Sequence, residues 1–149
     1  ELAARGVVVL AGAVAALDYL ADRAALGVAT GNIRAGAQAK LAAAGLADRF
    51  ALGGYGCDSP LRPELVAMAI TRAGAVDEVI VVGDTIHDIA AARACGAIAV
   101  AVATGADPAD RLAHADAVLR HPPRPDPRDP SPDPWNAEPV LDIRSRDFH

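Results

Sequence analysis

Two spacings of apolar residues alternate along the first 121 positions. The stretch VAALDYLADRAAL places Val14, Leu17, Leu20 and Ala21 on one helical face, and Gly27 stops it. GVAT follows as a short strand running into Gly31-Asn32, and residues 34–44 form an alanine-rich helix closed by Gly45. RFALGG is a candidate short strand or turn entry. RPELVAMAITRAG is a helix whose Pro63 sits in the first turn, where a missing N–H costs nothing. Four apolar residues, Val79 to Val82, then run straight into Gly83-Asp84, which reads as a strand buried on both faces. HDIAAARAC is the next helix, closed by Gly96, and AIAVAVA another wholly apolar strand. Asp107-Pro108 reads as the N-cap and first residue of a short helix to Ala115, and DAVLRH as an edge strand. Such an order predicts an α/β fold: a Rossmann-like parallel sheet with right-handed crossovers and helices on both faces.

The pattern breaks near residue 121. HPPRPDPRDPSPDPWNAEP holds eight of the eleven prolines, and proline cannot donate to a helix or a ladder. Residues 1–121 are therefore expected to form the α/β core and residues 122–149 a disordered tail. With 149 residues, 52% of them hydrophobic, the chain has material for one real core. A net charge of −5 without a basic stripe argues against a nucleic-acid binder. No apolar segment is long and charge-free enough to span a bilayer. The apolar start opens on an acid and carries Asp18, unlike a signal peptide. Cys57 and Cys95, with no C-x-x-C, suit reduced thiols in a cytoplasmic protein, although spacing leaves a single bridge open.

Candidate chemistry gathers where strands end. GVAT delivers Thr30-Gly31-Asn32, VIVVGD delivers Asp84 and, a turn later, Asp88, and CDSPLRPELV carries Arg62. Parallel strands present their carboxyl ends at one edge, so these groups are expected to converge. A hydroxyl, backbone N–H groups, a fixed cation and two carboxylates suit a phosphate and a divalent metal. Simpler roles compete: Asp84 and Asp88 as acids at a helix start, Thr30 as a cap, Asn32 as a turn residue, Arg62 as a solvated charge. His87 reads as a packing or capping residue ahead of a metal ligand, Asp58 as a loop cap ahead of a substrate-side acid, and Cys95 as a core residue on the buried helix face.

Together LGVATGNIRAGAQAKLAAAGLADRF, GCDSPLRPELVAMAI and VVGDTIHDIAAARACGA resemble the second, third and fourth motifs of the haloacid dehalogenase-like hydrolases. The resemblance is nearest to phosphoglycolate phosphatase-like members and runs over residues 10–121. It implies Mg²⁺-dependent hydrolysis of a small phosphate monoester through an aspartyl phosphate. Thr30, with the Gly31 N–H and Asn32 beside it, would bind a phosphoryl oxygen. Arg62 would stand where the family usually has lysine, and Asp84 and Asp88 would hold Mg²⁺. The family's first motif, an Asp-x-Asp pair at a strand end, has no counterpart: the acids before Thr30 are Glu1, Asp18 and Asp22. The chain thus resembles a family core that begins just after the cap, and alone it is expected to be inactive. GVVVL, residues 6–10, is the one segment with the β-branched character to fill the place of the absent first strand. The alternative is a non-catalytic pseudo-hydrolase that binds a partner or a phosphate ligand. A receiver-like domain would need acids after its first strand and a central phosphorylatable aspartate, and a nicotinamide-binding domain a G-x-G-x-x-G; neither pattern is present.

Overall fold

The computed structural model describes residues 7–10, 12–104, 107–120 and 140–142. The chain divides into two compact units, Glu1–Asp77 and Glu78–His149. The boundary falls in the loop before the VIVV strand, a place that the apolar pattern does not mark. Among the described residues no helix is long and apolar enough to cross a membrane.

In the first unit, Val7–Leu10 precede helix α1 (Ala13–Leu20) and form no strand. Val8 and Leu10 are exposed, so Val7–Leu10 do not fill a sheet position: no described strand pairs with them. α1 is shorter than its apolar spacing predicts, because the backbone turns after Leu20 and only Ala13, Leu17 and Leu20 are even half-buried. Strand β1 (Gly27–Thr30) and strand β2 (Leu52–Tyr55) pair in parallel, Gly27 beside Leu52 and Thr30 beside Tyr55. Helix α2 (Arg34–Ala43) connects them and stops at Gly45, whose φ of 69° is left-handed. The Leu46 N–H there reaches back to the Leu41 carbonyl at 2.8 Å, satisfying one of the helix's last acceptors. Helix α3 (Arg62–Ala73) then lies on the β1–β2 pair, with Leu65 and Val66 buried against it. This contact is backbone against backbone at Gly54, where a Cβ would stand 1.9 Å from the Leu65 carbonyl oxygen. Only glycine permits so close an approach.

In the second unit, strand β3 (Ile80–Gly83), helix α4 (Ile86–Ala94), strand β4 (Ile98–Val102) and strand β5 (Ala117–Arg120) follow in order. β3, β4 and β5 are parallel neighbours, with Val82 beside Val100 and Ala101 beside Val118. Strand β6 (Val140–Asp142) adds to β5 in antiparallel sense, so β5 has a neighbour on each side and is not the edge that its sequence suggests. The core is built of Ile89 and Ala92 from α4, Ala99 and Ala101 from β4, Val118, Ala97 and the fully buried Leu112. Alanines on β4 let α4 sit close to the sheet.

Residues 107–116 form successive turns rather than the expected short helix. The N–H groups of Arg111, Leu112 and Ala115 each reach back only three residues. The reason lies in Asp107: its Oδ2 accepts the Ile86 N–H at 2.9 Å and so caps α4 rather than a helix of its own. Both units are α/β with parallel strands and packed helices, a Rossmann-like organisation. Their strands form two sheets, β1–β2 and β3–β4–β5–β6, rather than one continuous ladder.

Candidate functional site

Thr30 closes β1, and the next residues turn sharply before α2. Its Oγ1 accepts two hydrogen bonds from Asn32, one from the backbone N–H at 3.2 Å and one from Nδ2 at 2.9 Å. Lys40 Nζ, two turns into α2, donates to Asn32 Oδ1 at 3.0 Å. The Asn32 side-chain amide thus bonds within the turn, to Thr30 and Lys40. The Asn32 carbonyl accepts the Gly56 N–H at 2.8 Å, which ties the turn after β1 to the loop after β2.

That second loop is held by Asp58. Its Oδ2 accepts the Tyr55 N–H at 2.9 Å, and both oxygens meet Arg72 at 2.7 Å in a bidentate pair. Arg72 also donates to the Gly53 carbonyl, so one guanidinium binds the far end of α3 to β2 and its loop. The hydrogen bonds from Arg72, and then from the Tyr55 N–H, hold the Asp58 carboxyl at about 2 against its ordinary 3.8. Ser59 accepts the Leu61 N–H at 3.0 Å and donates to Glu64. The loop delivers Arg62, half-buried, as the first residue of α3. Across the turn, Arg34 stacks on the Tyr55 ring, 4.8 Å from its centroid.

In the second unit β3 ends at Gly83, and Asp84 and Asp88 bracket the start of α4. Asp84 is half-buried, and its carbonyl accepts the Asp107 N–H at 3.3 Å. Thr85 is the N-cap of α4. Its hydroxyl donates to Asp88 Oδ2 at 2.8 Å and accepts the Asp88 N–H at 3.3 Å, while its own N–H reaches the same Oδ2 at 3.1 Å. This is a capping box with aspartate in its third helical position. Asp88 is only 4% exposed and lies on Gly83, where a Cβ would come within 2.3 Å of its Cβ and Cγ. His87 beside it is exposed, and Cys95 is half-buried at the helix end rather than on its buried face.

The first unit therefore brings Thr30, Gly31 and Asn32 into one turn, joined through Gly56 to the loop that leads to Arg62. The second sets Asp84 and Asp88 one helical turn apart. Among the described residues, no group of three or more histidine, cysteine or acidic side chains is placed to hold a metal. Magnesium needs less: one or two carboxylates suffice, because it keeps several of its waters. Asp84 and Asp88, hard oxygen donors at one strand end, fit such a hydrated ion, with Asp88 Oδ2 already engaged in the capping box.

Sequence reasoning passed over Thr85, Lys40 and Arg72, the partner of Asp58, and it assigned Asp107 to a helix of its own. The Thr85-x-x-Asp88 spacing could have signalled the capping box. Nothing local marks Arg72 or Asp107, whose partners lie 14 and 21 residues away.

No curated protein matches the chain. The family model for the haloacid dehalogenase-like hydrolases matches residues 1–96, from the N-terminal residue to the glycine that ends α4. This span contains the Thr30 turn, the loop before Arg62 and the Asp84–Asp88 segment, and it is more than half of the 149 residues. By that match the chain belongs to the haloacid dehalogenase-like hydrolase family.

Proposed function

We propose that the chain carries the phosphate-binding and magnesium-binding elements of a phosphate monoester hydrolase acting on a small phosphorylated substrate, nearest in kind to the phosphoglycolate phosphatases. The Thr30 hydroxyl and the Gly31 N–H bind phosphoryl oxygens, with Asn32 shaping the turn. Arg62 offsets phosphate charge. Asp84 and Asp88 hold Mg²⁺, which when bound supplies charge neutralisation and alignment of the phosphoryl group. Cys57 and Cys95, which form no disulfide among the described residues, suit a cytoplasmic protein.

One observation carries this reading. Thr30 is the last residue of a parallel strand and Asp84 follows the last residue of another, and each leads into a helix within four residues. Such strand ends leave backbone N–H groups unspent by any ladder, which is where α/β folds bind anions. The family's reaction needs an aspartate nucleophile, and no Asp-x-Asp occurs in these 149 residues. This chain alone therefore binds phosphate without turning it over.

Thermal unfolding with Mg²⁺ and inorganic phosphate, beside turnover of p-nitrophenyl phosphate, tests this. Each ligand should stabilise the chain, by about 1.4 kcal/mol at ten times its Kd. Asp84→Asn should abolish the Mg²⁺ effect and Thr30→Val the phosphate effect, with no p-nitrophenol released by any form. Unfolding indifferent to both ligands would overturn the assignment. Turnover by the 149-residue chain would overturn the inference that it lacks a nucleophile.

A further inference from the structure

We propose that Lys40 is a positioning residue for the phosphate site: acting through Asn32, it fixes the Thr30 hydroxyl as a hydrogen-bond donor. The proposal rests on the assignment of Thr30 to phosphate and adds the group that sets its polarity.

A threonine hydroxyl has one hydrogen to give and two lone pairs. At Thr30 both lone pairs are taken, by the Asn32 backbone N–H and by Asn32 Nδ2–H. What remains is the hydroxyl hydrogen, which among the described residues meets no acceptor. A hydroxyl in this state can only donate. An unprotonated phosphoryl oxygen can only accept, so the match is one of sign as well as of place.

This polarity depends on which way the Asn32 amide faces. With the amide turned over, Oδ1 would face Thr30 Oγ1 and take its hydrogen, and a lone pair would be released toward the ligand. Phosphate would then meet a lone pair instead of a proton. The backbone N–H of Asn32 cannot prevent the turn, because it bonds Thr30 in either state. Lys40 can. An ammonium group has three hydrogens and no lone pair, so it is satisfied by Oδ1 and repelled by the NH₂ group. Its bond to Oδ1 at 3.0 Å therefore locks Nδ2 onto Thr30. Side chains on a helix lean toward its N-terminus, which is how a residue two turns into α2 reaches a residue in the turn before that helix. Lys40 is also the chain's one lysine, all thirteen other basic residues being arginine.

Lys40 could instead help phosphate by its charge alone, and the test separates these roles. The ¹⁵N-labelled 149-residue chain is titrated with inorganic phosphate as wild type, Lys40→Met, Lys40→Arg, Asn32→Ala and the Lys40→Met/Asn32→Ala double variant. Before phosphate is added, Lys40→Met should shift the Asn32 side-chain amide signals and speed their exchange with water, and Lys40→Arg, also a pure donor, should restore them. On titration, Lys40→Met and Asn32→Ala should each weaken phosphate binding at Gly31 and Asn32 roughly three- to tenfold, the reach of one hydrogen bond. The double variant should lose no more than Asn32→Ala does.

Asn32 side-chain signals unmoved by Lys40→Met would overturn the relay. Additive losses in the double variant would overturn it in favour of direct charge. Signals that move with Lys40→Met, in a wild-type chain whose Gly31 and Asn32 amides ignore phosphate, would overturn the use of the relay. That last result would locate the failure in the assignment of Thr30 to phosphate, not in the hydrogen-bond chain.

Discussion

Two glycine-to-alanine substitutions in the first unit should move stability in opposite directions, by amounts the structure sets. At Gly54 an added methyl would lie 1.9 Å from the Leu65 carbonyl oxygen, 2.7 Å from its carbon and 2.9 Å from its Cα. All three atoms are backbone, so no side chain can swing aside. Ordinary contact begins near 3.4 Å, so α3 must back away from β2 by more than 1 Å. Such a shift would loosen Leu65, which is 1% exposed, and overpacking of this kind costs about 3 kcal/mol. At Gly36, inside α2, the new methyl meets only Ile33 Cγ1 at 3.7 Å. There alanine should stabilise by up to about 1 kcal/mol, through the backbone freedom that glycine loses on forming a helix. The two variants should therefore differ by about 4 kcal/mol, or roughly 2 M in urea midpoint for a slope near 2 kcal/mol/M. Both tyrosines, Tyr19 and Tyr55, lie in the first unit, so tyrosine fluorescence during urea unfolding reads it selectively. Gly54→Ala within 1 kcal/mol of wild type would refute the close β2–α3 contact and the placement of Arg62 that depends on it.

Three further outcomes are expected. Asp58, held at about 2 in the folded chain against 3.8, contributes stability that is complete above pH 4 and fades as the pH falls toward 2. Asp58→Asn should lower the unfolding midpoint at neutral pH and flatten its pH dependence across that window; an equally steep acid loss in the variant would remove Asp58 as its source. Thr85→Ala removes the capping box of α4 and should cost about 1 kcal/mol in thermal unfolding, with Thr85→Ser retaining most of it; equal losses in the two would mean the hydroxyl is not the capping group. Leu112→Ala empties a fully buried position in the β4–β5 core and should cost about 3 kcal/mol, read as faster amide exchange in β4 and β5; unchanged exchange there would detach the 107–116 turns from that core.

What could be read from the sequence is what neighbouring residues decide. α2 stops at Gly45 and α4 before Gly96 because a left-handed glycine is a local signal, and Pro63 marks the first turn of α3 for the same kind of reason. β1, β3 and β4 were legible as short apolar blocks between such punctuation. The Thr30–Asn32 turn was legible only in part: asparagine and threonine bond nearby backbone, but Asn32 read equally as a turn residue and as a substrate contact. What escaped was decided at a distance. Asp107 looked like the cap of its own helix and caps another one 21 residues earlier. Lys40 carried no pattern at all, being one polar position on a solvated helix face, and its meaning appears only once α2 has folded back over the turn. The separation of β1–β2 from β3–β6 likewise depends on pairing partners, which no local rule supplies.

The strand that opens the second unit poses the sharpest contrast between what was written and what is built. Val79 to Val82 is a continuous apolar run, the signature of a strand covered on both faces. Val81 faces the side on which α4 packs, in register with the buried Ala99, and is part of that core. Ile80 and Val82 face the other way and stay 54% and 59% exposed. In register with them on the same face stand Ile98 and Val100 of β4, and Ala117 of β5 continues the row. A strand meant for one wet face would alternate, as a threonine or lysine at position 80 or 82 would show. Selection for solubility works against two β-branched residues left in water side by side. Ile80 and Val82 therefore set β3 apart from the reading of its apolar run: among the described residues the strand is covered on the face of Val81 and left exposed on theirs.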